Sequence, residues 1–213
     1  MTACTACGRE LSQTAKFCSE FGSPVASAQQ PAEYKQVTVL FADVVHSMDI
    51  AAAVGPERLR EIMTDLVSRA ATVVQRYGGT VDKFTGDGIM AMFGAPIALE
   101  DHAVRACVAA LGIQDQAAQL AAEVERRDGT AFSVRVGLNS GQVIAGEIGS
   151  GAPGYTAVGE HVGLAQRMES VAPSGGVMLS ESTARLVEHT AVLSQPEMVC
   201  ALREWKSGFP RTG

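Results

Sequence analysis

The stretch Val37-Thr38-Val39-Leu40-Phe41-Ala42-Asp43 decides how the rest of the chain is read. It is β-branched and apolar almost throughout, the composition of a strand buried on both faces, and it ends on a carboxylate. Ser47 can open a short helix that runs to Val54, where Gly55-Pro56 stops it. Pro56 suits the first position of a second helix. In that helix Leu59, Ile62, Met63, Leu66, Val67, Ala70, Val73, Val74 and Tyr77 fall on one core-facing stripe. Gly78-Gly79 closes it.

Working outward, 80–84 and 89–93 form the arms of a hairpin turned by Thr85-Gly86-Asp87-Gly88, with Asp-Gly as the turn signal. A long helix is expected over 99–127. Two strands follow, 132–138 and 142–148, on either side of Asn139-Ser140-Gly141. Further along come a strand over 155–158, a helix over 160–171, a strand over 176–179 and a helix over 182–188. The order βααββαβββαβα predicts an α/β (α+β) fold, a mixed sheet with flanking helices. Residues 1–34 differ in composition, with Cys4, Cys7 and Cys18 followed by a Gly/Ser/Pro/Gln-rich linker. Residues 191–213 form an atypical tail, and from Cys200 onward neither alternation nor helical period is visible.

Hydrophobic residues make up 46% of the 213 and charged residues 19%, a normal globular balance. Aromatics are only 5%, so the core must be built from aliphatic side chains. The net charge of −6 disfavours nucleic acid and anionic membrane as partners. An anionic substrate would need a local cationic site or a metal. No run of about 20 apolar residues exists to span a bilayer, and Met1-Thr2-Ala3-Cys4 lacks the features of a secretory signal, so a cytoplasmic location is expected.

Taken singly, Asp43 could be a helix cap and Asp87 a turn former. Lys83, four positions before Asp87, and the later segment Gly154-Tyr155-Thr156-Ala157-Val158-Gly159-Glu160 with Arg167 change that reading. Together with Val39 through Val45, Lys83 through Gly88, Met90-Ala91-Met92-Phe93, Gly137 through Gly141 and Tyr155 through Glu169, they resemble the class III adenylate/guanylate cyclase catalytic domain, motif for motif in order and spacing. The resemblance covers about residues 35–190. It implies a ferredoxin-like mixed sheet, two Mg²⁺ or Mn²⁺ ions per site, and a head-to-tail dimer, either of two copies or with a related cyclase chain.

The resemblance also implies individual roles. Asp43 and Asp87 would bind the metals, with the Val44 carbonyl, and Val45 and Gly86 would lie against substrate. Lys83 and Thr156 would read the purine, Lys83 donating to adenine N1 and Thr156 accepting from the 6-amino group. Arg167 would hold charge on the α-phosphate. The implied activity is an adenylate cyclase, a phosphorus–oxygen lyase that makes 3′,5′-cyclic AMP from ATP.

The chain also departs from the family. Gly163 stands where an Asn usually orients the ribose, and loss of one such donor costs roughly 10²–10³ in rate. Glu160 stands where Asp is usual, and His46 and Met48 replace a Gly and a Thr of the phosphate loop. A bulky His there can obstruct approach of the backbone to phosphate. A slow cyclase is therefore expected, the alternative being an impaired nucleotide-binding relative that serves as a heterodimer partner. The signature of diguanylate cyclases is absent.

Cys4-x-x-Cys7 and Cys18-x-x-Phe21 resemble a zinc ribbon with one ligand missing, more a remnant than an occupied site. A zinc-ribbon interaction module is opposed by the acidic charge. Cys107 is expected in the core, and His102, His161 and His189 at the surface or at helix ends.

Overall fold

Strand β3 (Glu33–Val44) organises the chain, running antiparallel to both β5 (Gly88–Phe93) and β6 (Val134–Glu147). The computed structural model describes residues 2–3, 7–11, 18–20, 32–147, 155–194 and 200–205. The chain divides into two units, residues 1–31 and 32–213. In the first, β1 (Thr2–Ala3) pairs antiparallel with β2 (Glu10–Leu11). The second holds the mixed sheet.

Alternation along β3 feeds two cores. Leu40, Ala42 and Val44 face one side, which is covered by α1 (Ser47–Val54), α2 (Pro56–Arg76), α3 (His102–Asp128) and α5 (Glu181–Val187). Val37 and Val39, with half-buried Phe41, face the other, where α4 (Glu160–Val171) contributes Ala165 and Val162. Ile89, Ala91 and Phe93 of β5 join the first core, and Met90 and Met92 the second. The sheet order is β4-β5-β3-β6-β8-β10-β9, with β4 as Thr80–Phe84, β8 as Val177–Leu179, β9 as Ala191–Ser194 and β10 as Cys200–Trp205, and β7 (Tyr155–Val158) pairs with the end of β6. Only the β6–β8 pair is parallel among these described pairings.

Two sequence expectations are corrected. First, 132–138 and 142–148 are not two strands: β6 is one 14-residue strand. Asn139 and Ser140 are buried in mid-strand because the structure satisfies their polar atoms. The Asn139 amide donates to the His161 carbonyl at 2.9 Å, and Ser140 Oγ bonds Thr38 at 2.7 Å and Thr183 at 2.9 Å. Gly141 leaves room for the His161 ring, which a Cβ would meet at 2.4 Å.

Second, the tail is not without structure. β9 (Ala191–Ser194) and β10 (Cys200–Trp205) complete the sheet, with Leu202 in the core. A register slip between Leu202 and Glu204 breaks the alternation that would have revealed β10. His102 opens α3, a helix-end position as expected, and is also buried, its Nδ1 lying 2.7 Å from Thr38 Oγ1, and burial lowers its pKa. Smaller shifts include β3, which begins at Glu33, and α3, which starts at His102 rather than at 99.

Candidate functional site

The register of β3 against β5 pairs Asp43 with Gly88, which sets Asp43 beside the hairpin turn that carries Asp87. Residue 88 has to be glycine: a Cβ there would lie 2.3 Å from the Ala42 carbonyl and 2.8 Å from Asp43 Oδ1. Gly86 takes a positive φ of 97° in the same turn, a conformation that disfavours side chains. Ser47, the first residue of α1, donates its hydroxyl to Asp87 Oδ2 at 2.8 Å.

Asp43 is the more constrained of the two acids. Its Oδ1 is buried without a donor, and the neighbouring Asp87 carboxylate offers only lone pairs. Two such groups can share a bond only when a proton or a cation lies between them. Burial, then the bond and charge of Asp87, then the charge of Glu169 push the Asp43 carboxyl up to about 7, against the counter-pull of Arg135. Arg135 opposes weakly, its Nη2 standing 3.9 Å from Asp43 Oδ2 while its Nε is drawn to Glu169 Oε1 at 3.0 Å. That last contact is an ion pair rather than an aligned hydrogen bond, since neither atom has a hydrogen-bond partner. Glu169 is held there because α4 lies directly on β6, where a Cβ at Gly137 would meet the Glu169 amide nitrogen at 1.9 Å. A half-buried, underpaired acid pair of this kind fits a hard divalent cation.

The loop after Asp43 bears on the same place. Val44 is buried, and the Val45 amide donates to the Ser133 carbonyl at 2.9 Å. His46 adopts φ 58° and ψ 42°, the left-handed conformation that suits glycine. A side chain there costs about 1–2 kcal/mol. Its ring is largely exposed, as is Met48.

Lys83 and Thr156 are brought together elsewhere in the molecule. Thr156, on β7, donates its hydroxyl to Asp82 Oδ2 at 2.9 Å, and Lys83 Nζ lies 3.7 Å from the same oxygen. The Asp82 side chain is 3% exposed and that of Lys83 51%. Sequence reading missed Asp82, although it adjoins Lys83; it also missed Ser47, Arg135 and Glu169, whose meeting at Asp43 and Asp87 depends on sheet register and on the seating of α4.

Arg167 is exposed on α4 and makes no ion pair among the described residues. Gly163 lies one turn earlier on the same helix, where a Cβ would meet nothing within 4 Å. Glu160 opens the helix. Among the described residues no hydrogen bond or ion pair links the acid pair to Lys83, Thr156 or Arg167.

Cys107 is fully buried and its thiol is pushed up to about 12, a core residue as expected. In the N-terminal unit the sulfurs of Cys7 and Cys18 lie 3.7 Å apart, while Cys4 and Phe21 are outside the described residues. His189 is exposed, as expected. Among the described residues no helix is long and apolar enough to cross a membrane.

A mixed sheet carrying a carboxylate pair at a strand end, with a separate lysine–threonine pair, defines a nucleotide-cyclase type of domain. The chain belongs to the class III cyclase family: the Adenylate and Guanylate cyclase catalytic domain matches residues 29–203. It is 30% identical over 177 residues to the receptor-type guanylate cyclase daf-11 of Caenorhabditis elegans, covering 83% of this chain and 16% of that protein. It is 31% identical over 163 residues to an adenylate cyclase of Mycobacterium tuberculosis, covering 76% of this chain and 36% of that protein. The chain thus spans well under half the length of either relative. The guanylate cyclase domain of RhGC from Catenaria anguillulae, solved in complex with GTP, superposes with a TM-score of 0.74 at 26% identity, covering 82% of this chain and all (100%) of that one. The relatives include both adenylate and guanylate cyclases, so the choice of purine falls to the residues of this chain.

Proposed function

We propose that this chain is an adenylate cyclase that converts ATP to 3′,5′-cyclic AMP and pyrophosphate at the interface of a head-to-tail dimer, with turnover reduced by Gly163. The observation that carries the reading is the convergence of Lys83 and Thr156, 73 positions apart in sequence (156 − 83), on one oxygen of Asp82. An ammonium only donates and suits adenine N1, an acceptor; a hydroxyl oxygen can accept from the 6-amino group. Guanine presents the reverse pattern at both positions.

Asp43, Asp87 and the Val44 carbonyl would hold two Mg²⁺ or Mn²⁺ ions, with Val45 and Gly86 beside the phosphates. When bound, such ions neutralise phosphate charge and acidify the ribose 3′-hydroxyl. The 3′-oxygen attacks the α-phosphorus in line, a new P–O bond forms and the bond to pyrophosphate breaks. Arg167 supplies a planar fork of donors for charge on the α-phosphate. We read the site as shared between two subunits, each giving one half, with the acid pair from one and Lys83, Thr156 and Arg167 from the other; among the described residues no hydrogen bond or ion pair joins these two sets. Residues 35–190, with the two further strands, serve as the catalytic unit, and the N-terminal cysteines are read as a zinc-ribbon remnant.

The test is purified protein with Mn²⁺ and either ATP or GTP, with Asp87→Ala as control. Cyclic AMP above the control, with less cyclic GMP, is expected; no cyclic nucleotide above the control sinks the reading. Gly163 favours a second reading, an impaired subunit that completes a related cyclase. Activity that emerges only on mixing with such a chain would select it.

A further inference from the structure

We infer that Asp82 sets the purine preference of the site by fixing which way the Thr156 hydroxyl directs its proton. The inference rests on the adenylate-cyclase reading and deepens it.

A threonine hydroxyl is a weak discriminator by itself. It has one proton and two lone pairs, and its rotor turns to suit the partner. Facing adenine it can accept from the 6-amino group; facing guanine it can donate to O6. Lys83 carries no such ambiguity, because an ammonium donates whatever the base. The specificity of the pair therefore depends on what holds the Thr156 proton.

In this structure Asp82 holds it. Thr156 Oγ1 donates to Asp82 Oδ2 at 2.9 Å. An ionised carboxylate has only lone pairs to offer, so the hydroxyl cannot reverse without breaking the bond. Once its proton is committed, Thr156 can show a base nothing but lone pairs. These match the adenine amino group and oppose guanine O6. Thr156 is itself only partly buried.

The backbone explains how the carboxylate comes to be there. In the β4–β5 ladder Val81 pairs with Ala91 and Lys83 with Met90, which leaves Asp82 as an extra residue with no partner opposite. A bulge of this kind re-aims the side chain it carries. The Asp82 side chain is 3% exposed, an expensive place for a charge unless it is paired. Among the described residues it pairs with the two proposed purine readers, Thr156 at 2.9 Å and Lys83 at 3.7 Å. Asp82 is thus a positioning residue, acting on the base through Thr156.

The experiment measures ATP and GTP dissociation constants on the full chain with Mn²⁺, by displacement of a fluorescent ATP, so that slow turnover does not matter. Wild type is expected to favour ATP. Asp82→Ala should lower that preference by at least about tenfold, since a free rotor no longer repels O6. Asp82→Asn, whose amide oxygen can still accept, should keep most of it. In a Thr156→Val background Asp82→Ala should change the ratio no further. If the alanine chain does not fold, Asp82→Leu fills the same space without an acceptor and takes its place. Equal weakening of ATP and GTP, or an undiminished effect of Asp82→Ala in the Thr156→Val background, would overturn the inference and leave Asp82 as a strand tie. An Asn variant as unselective as the alanine one would overturn it as well. A wild-type chain that favours GTP overturns the substrate reading itself, a result distinguishable because it needs no variant.

Discussion

The two acidic centres of this domain solve opposite problems. Around Asp82 the charge is answered within the chain, by the Thr156 hydroxyl and the Lys83 ammonium. Around Asp43 it is not. Asp87 and Glu169 add like charge, Oδ1 has no donor, and Arg135 is shared with Glu169. A satisfied carboxylate is a preset template that needs nothing to keep its shape. An underpaired one stores unfavourable electrostatics that a cation relieves. On the proposed reading, the satisfied centre is the half that selects and the underpaired one the half that binds a cation.

The sharpest way to break this comparison is Asp87→Ala. If the pair holds the ions, several kcal/mol of charge stabilisation are lost and cyclase turnover falls by about 10³-fold or more. The metal-free variant should nonetheless melt higher than wild type, because Asp43 is relieved of repulsion. A lower melting temperature would show that the pair is structural.

Next in size is Gly163→Asn. The open space at this position admits the side chain. Restoring a ribose donor is expected to raise kcat by about 10²-fold; steady-state rates check it, and an unchanged kcat would place the limit elsewhere.

The pH dependence of the metal-free protein is a smaller effect with a definite sign. Burial and the neighbouring Asp87 push the Asp43 carboxyl up to about 7 in the folded chain, against an ordinary value of 3.8, so between these values the native state binds more protons than the unfolded state. Its contribution is therefore fully present below about 3.8 and is lost as pH rises to about 7. Urea titrations should show this decline, superposed on other groups, and Asp43→Asn should flatten it. Mn²⁺ affinity should rise over the same window as protons are displaced, then level off above it.

The smallest expected effect is at His46. Replacing a left-handed histidine with glycine removes about 1 kcal/mol of strain, partly offset by the entropy that glycine adds to the unfolded chain. A modest rise in the urea midpoint without a change in slope is expected.

Much of the fold was legible because its elements are strongly periodic. Helices α1 and α4 begin and end where Ser47, Gly55, Glu160 and the following segments imply. The β4–β5 hairpin follows from Asp87-Gly88, and the residue types at 43, 83, 87, 156 and 167 carried the family resemblance that the match over 29–203 supports. Illegible stretches were those whose chemistry is completed from far away. Asn139-Ser140 looks like a break between strands until Thr38, Thr183 and His161 supply its hydrogen bonds. Strand β10 is hidden by its own bulge.

By itself, the sequence determined the class of domain and the residue types its chemistry requires, because periodicity and turn chemistry are local. Only the tertiary structure decided the electrostatic state of each acid. Asp43 is pushed up first by burial and then by partners 44 and 126 positions away (87 − 43; 169 − 43), and Asp82 accepts a hydrogen bond from a hydroxyl 74 positions away (156 − 82). Charge and hydrogen bonding act through space over a few ångströms, and which groups come that close is set by sheet register, a bulge and the seating of one helix on Gly137.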